Sequence, residues 1–118
     1  MQSSGFADFR MEQSVVPAKQ KGRILVVKHI VMWKLKPGKS VREALPQIRT
    51  ALEGLVGVVK GLRSVQVHAC CAGWDLLLET EFEDRAALAD YQVHPAHLEA
   101  KKVVHSFIEE RTASDYEC

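Results

Sequence analysis

The chain has 118 residues, with 16 Lys+Arg against 15 Asp+Glu, for a formal net charge of +1. That length suits one domain, and 47% hydrophobic with 26% charged residues is ordinary for a packed soluble domain. These figures argue against disorder along the whole chain and against a strongly basic nucleic-acid surface, and no apolar run reaches the roughly 18–20 residues of a membrane span.

Residues 1–23 read differently from the rest. Gln2-Ser3-Ser4-Gly5 is polar, Lys19-Gln20-Lys21-Gly22-Arg23 is largely basic, and Phe6, Phe9, Val15 and Val16 follow no sustained period. A secretory signal needs an unbroken apolar stretch, and Asp8, Arg10 and Glu12 interrupt it. The segment is read as a flexible tail, with Met11 as an alternative start. The other reading is a short element that packs on a partner subunit through Phe6 and Phe9. The domain is expected over 24–118.

Ile24 to Lys36 alternates, with apolar residues on both faces: Val27, His29, Val31 and Trp33 on one, Val26, Lys28, Ile30 and Met32 on the other. That pattern predicts a central strand buried on both sides. Lys36-Pro37-Gly38-Lys39 ends it with turn chemistry. Ser40 followed by Glu43 predicts a capped helix, with Val41, Ala44, Leu45, Ile48, Ala51, Leu52 and Leu55 as its buried stripe. Pro46 conflicts with it and predicts a kink, or a start nearer Leu45. Gly54 and Gly57 are stop signals.

Leu62 to Cys70 alternates as a half-exposed strand, Ala72-Gly73 makes a turn, and Trp74 to Phe82 predicts a third strand. Asp84 is the expected N-cap of a helix carrying Ala87, Leu88 and Tyr91. His94-Pro95 breaks it, and Pro95 suits the first turn of a new helix with Ala96, Ala100, Val103, Val104 and Phe107 as its stripe. Glu110 to Cys118 reads as a last strand at an edge or interface.

Three cysteines (Cys70, Cys71 and Cys118) make no even disulfide framework, so a reducing, cytoplasmic setting is expected. His68 and Cys70 would share a strand face, which allows a catalytic thiol or a small apolar filler.

The order β-α-β-β-α-β, with the second helical stretch in two pieces, predicts an α+β ferredoxin-like fold. Helices cover one face of such a sheet. The other face, apolar along the first strand, predicts a homodimer formed through the sheets.

Three segments in this order carry a resemblance: Val27-Lys28-His29-Ile30-Val31, Tyr91-Gln92-Val93-His94-Pro95-Ala96-His97, and Asp115-Tyr116. Together they resemble the stress-responsive A/B barrel (Dabb) domain. The resemblance implies a dimeric α+β barrel over roughly 26–117. Most of the family has no assigned activity; one plant member is a cofactor-free polyketide cyclase that works by intramolecular aldol condensation. Carried over by position, His97 would be its base, Tyr91 its assisting hydroxyl and His29 a pocket residue. Leu52 stands where that cyclase has a pocket tyrosine.

A neutral histidine and a tyrosine hydroxyl fit the base and donor that aldol cyclisation needs. His97 would lie in a helix first turn, where the helix dipole disfavours imidazolium. Each residue also has a plainer reading: His94 as a helix cap, Tyr91 as core, His29 as a hydrogen-bonded core histidine. A metal on His94, His97 and either His29 or His68 is the weaker idea. The expectation is a ligand-binding or structural homodimer with a small, mostly apolar pocket and no metal or cofactor, the alternative being a cofactor-free polyketide cyclase or lyase with His97 as base. His97 and Tyr91 are its candidate catalytic pair, His29, His94 and Trp33 its ligand-binding residues, and a small apolar or phenolic compound its ligand. If Trp33, Trp74 and Phe107 fill that space, there is no pocket.

Overall fold

A computed structural model describes residues 25–118. The expectations for residues 1–23 lie outside the described residues. The elements run β1 (Val27–Leu35), α1 (Val41–Glu53), β2 (Leu62–Ala69), β3 (Leu76–Phe82), α2 (Arg85–Val93), α3 (Pro95–Phe107) and β4 (Ile108–Glu117). The four strands form one antiparallel sheet in the order β2-β3-β1-β4. This is the ferredoxin-like α+β arrangement, with β4 at an edge.

The helix starts follow from local chemistry. Ser40 Oγ accepts from Glu43 N at 3.2 Å, and Asp84 Oδ1 accepts from Ala87 N at 2.8 Å. Each removes one of the orphan donors of a helix N-terminus. His94 caps α3, its Nδ1 accepting from Ala96 N at 3.0 Å while Pro95 opens the first turn. Pro46 does not delay α1, which begins at Val41 as its cap dictates. The carbonyl that a residue at 46 would have bonded belongs to exposed Arg42, where solvent is available to replace the lost donor.

β3 begins at Leu76, two residues later than expected. Trp74 and Asp75 belong to the turn, and Asp75 Oδ2 accepts from Leu35 N at 2.8 Å, tying the turn to the end of β1. At Gly61 (φ +85°) a Cβ would come 2.5 Å from Ala87 Cβ, so this position requires glycine for both conformation and space.

The helices pack on one face of the sheet. Val27, Val31, Trp33, Leu78 and Phe82 meet Ala44, Ile48 and Leu52 of α1 and Ala100, Val104 and Phe107 of α3. At roughly 25 cal/mol per Å², burying such side chains dominates the folding energy. The helices cover β1, β2 and β3 but reach little of β4, which is exposed beyond Ile108. The opposite face carries half-buried Ile30, Met32 and Leu77 beside an ion cluster. There Lys28 Nζ lies 3.0 Å from Glu79 and 3.3 Å from Glu81, and Arg63 lies 3.3 Å from Glu81. No described helix is long and apolar enough to cross a membrane.

Candidate functional site

β1 and α3 each bring functional side chains to the helix-covered face. On β1 the period-2 alternation puts His29, Val31 and Trp33 there. On α3 His97, Lys101 and His105 are spaced four apart and share one side. Tyr91 comes from the last turn of α2. Between them lies a cavity of about 270 Å³, at the small end of ligand pockets. Val31, Trp33, Leu52, Leu78 and Val104 give it apolar walls, and His29, Tyr91, His97, Lys101, His105 and Arg111 supply its polar surface.

Tyr91 is buried. Its ring packs edge-on against Phe82, centroids 4.9 Å apart, and stacks on His97 at 3.9 Å. Two polar atoms of this stack, Tyr91 Oη and His97 Nδ1, are buried without a hydrogen-bond partner of good geometry, although the Tyr91 backbone carbonyl lies near enough to the His97 ring to offset part of its lowered pKa. Such orphans cost about 1–3 kcal/mol each and are rare in folded proteins. Burial also sets their protonation. It raises the Tyr91 phenol above its ordinary range, keeping it a donor. Burial, with the Lys101 ammonium second, lowers His97 to about 4, so the ring is neutral at pH 7.

His29 Nδ1 lies 2.5 Å from Asp115 Oδ1 across the β1–β4 pairing. An ionised carboxylate only accepts, so Nδ1–H donates and Nε2 is the ring nitrogen left for other partners. The His29 carbonyl accepts from buried Thr80 Oγ1 at 3.0 Å, which fixes the strand behind it.

The structure brings His29, Trp33, Tyr91 and His97 together around one cavity. His94 is not among the cavity-lining residues; its Nδ1 is committed to the cap of α3. Leu52 lines the cavity as an apolar wall, Trp33 forms a wall rather than a plug, and Trp74 and Phe107 do not line it. His68 bonds Gln66 at 3.2 Å, and Cys70 lies beyond the end of β2, its thiol pushed up by burial. His68 is thus bonded to Gln66 rather than to Cys70. Among the described residues no cluster of three His, Cys, Asp or Glu side chains could hold a metal. Sequence reasoning gave no site role to Asp115, Lys101 or Arg111. Their signal is long-range strand register and helix phase, which a single chain pattern does not carry.

A family model described as the stress responsive A/B barrel domain matches residues 27–118. The chain belongs to the Dabb family. This Dabb chain is 25% identical over 96 residues to the stress-response A/B barrel domain-containing protein HS1 of Arabidopsis thaliana, covering 76% of this chain and 87% of that protein. It is similar to the crystal structure of a dimeric protein of unknown function with a ferredoxin-like fold from Bacteroides fragilis. There the TM-score is 0.70 at 30% identity, over 79% of this chain and 96% of that one. The hydroxynitrile lyase of Passiflora edulis shares the fold, with a TM-score of 0.67 at 19% identity over 79% and 93% of the two chains.

Proposed function

We propose that this Dabb protein is a homodimer that binds a small, mostly apolar ligand, such as a phenolic compound, in the cavity beside Tyr91 and His97. One observation carries the reading. The two unpartnered buried polar atoms, Tyr91 Oη and His97 Nδ1, sit on adjacent stacked rings that both line the same cavity. Both atoms are closed to water in this structure, so a ligand oxygen supplies the missing partner once the stacked rings shift to expose them, with the phenol donating. His29 presents the free nitrogen of a ring oriented by Asp115. Leu52, where a polar contact is absent, and Trp33 would hold the apolar body.

Dimerisation through the open sheet face is part of the same reading. Ile30, Met32 and Leu77 offer apolar surface on the face away from the helices, and similar solved structures are described as dimeric. The free thiols Cys70, Cys71 and Cys118 support a cytoplasmic setting.

A second reading, cofactor-free proton-transfer chemistry such as aldol cyclisation or lyase cleavage, has its own observation. His97 is a neutral base stacked on a phenol that stays protonated. That a hydroxynitrile lyase is built on the same fold supports compatibility and nothing more specific. Binding comes first because Leu52 leaves the wall that would meet a polyketide oxygen without a polar group.

A thermal-shift screen with phenols and polyketide-like acids, run on wild type and His97→Ala, tests the reading. Stabilisation of wild type that weakens in the variant supports it and selects compounds for turnover assays. Equal melting of both proteins with every compound contradicts it.

A further inference from the structure

We infer that the cavity selects anionic ligands, and that Lys101, midway along it, and Arg111, at the end away from Tyr91 and His97, hold a carboxylate. This inference deepens the binding reading and rests on it.

The cavity has two chemically different ends. α3 leads straight into β4, and Lys36 N bonds Phe107 O at 2.8 Å, so the end of α3 sits at the end of β1. The first turn of α3 carries His97, and His29 lies near the start of β1. From His97 each step of four residues advances about 6 Å, to Lys101 and then His105. On the sheet, Arg111 is in register with Trp33, four residues or about 13 Å along β1 from His29. One end is therefore built of His29, Tyr91 and His97, and the other of Arg111 and His105, with Lys101 between.

Charge separates the ends further. Lys101 and Arg111 both line the cavity, and no carboxylate does. Among the described residues neither cation is paired with an acidic side chain; Lys34, Lys36, Lys39, Arg42 and Lys60 are likewise unpaired but do not line the cavity, whereas Lys28, Arg49, Arg63, Arg85 and Lys102 are paired. The nearby acid, Asp115, is engaged by His29. Two positive charges lining an apolar-walled cleft attract an anion, and the planar guanidinium fork matches a carboxylate. The ligand class is a small organic acid with a flat apolar body against Trp33 and an oxygen function at the far end.

Isothermal titration calorimetry with 2-naphthoate and its uncharged match, 2-naphthamide, tests this. Wild type should bind the acid about tenfold or more tighter than the amide. A Lys101→Met, Arg111→Met double variant should lose that preference while holding the amide as wild type does. Both side chains are at least partly exposed, so the variant should fold; circular dichroism checks it. Lys102→Met, one residue away and paired with Glu99, should keep the preference. Equal affinity for acid and amide in wild type overturns the inference and leaves the cavity reading standing. A preference that survives in the double variant overturns the assignment to these two residues. Inorganic phosphate competing as well as naphthoate overturns the apolar-acid class. Binding of neither naphthalene probe overturns the inference together with the cavity reading.

Discussion

His29 and Asp115 face each other across the β1–β4 pairing, with Nδ1 2.5 Å from Oδ1. The histidine is buried at 6% exposure, while the Asp115 side chain is about half exposed. The imidazole N–H thus has one acceptor and little access to water, and the carboxylate decides which ring nitrogen faces the cavity. Asp115→Ala leaves a buried donor without a partner and should cost about 1–2 kcal/mol. Asp115→Asn, whose amide oxygen still accepts, should cost less. Urea denaturation of both variants measures this; an unchanged midpoint in Asp115→Ala would show that the bond contributes nothing to stability.

Tyr91→Phe should separate stability from binding. The hydroxyl is buried without a partner, so removing it deletes an unsatisfied group while the ring keeps its contacts with Phe82 and His97. The empty variant should be at least as stable as wild type, by up to about 1 kcal/mol, and melt as much as a few degrees higher. Its affinity for any ligand that stabilises wild type should fall. A clear loss of melting temperature in the empty variant would mean that Oη already has a partner.

Much of this was readable along the chain, because helix starts are local events. Ser40, Asp84 and His94-Pro95 each mark a start that needs only the next three residues to be understood. The alternation in β1 likewise separates His29, Val31 and Trp33 from Ile30 and Met32 without knowledge of the fold. Trp74 was misplaced for a non-local reason: Asp75 is recruited by the Leu35 amide, forty positions away, and this holds the turn open two residues longer. Asp115 was visible as part of a motif but not as the partner of His29, since that contact spans 86 positions. Arg111 has no local signal; its place depends on the register that puts it beside Trp33.

Acid should destabilise this protein through His97. Its folded-state pKa, about 4, lies below the ordinary 6.5 because burial and Lys101 oppose the imidazolium. Above pH 6.5 both folded and unfolded chains hold it neutral. As pH falls from 6.5 toward 4, the unfolded chain takes up a proton that the folded chain refuses, so stability is lost across that window. His97→Gln removes this contribution. Urea midpoints at pH 7, 5.5 and 4.5 should fall more steeply for wild type than for the variant. Parallel curves would contradict the lowered pKa.

The open sheet face predicts assembly. Met32→Glu places a charge opposite Leu77 and near Ile30 and its partner Glu79, while the helix-covered core is untouched. Sedimentation velocity should show a dimer for wild type and a monomer of unchanged helix content for the variant. A dimer that survives would move the interface off this face.

The five histidines offer the most direct reading of the central claim, that a ligand enters beside Tyr91 and His97. His29, His97 and His105 line the cavity; His68 is on β2 bonded to Gln66, and His94 is held in the cap of α3. Two-dimensional proton–carbon NMR of the imidazole Cε1 positions, during titration with a compound that raises the melting temperature, follows all five together. The cavity predicts saturable shifts of His29 and His97, with His68 still. Saturable shifts of His68 while His29 and His97 stay fixed would contradict it.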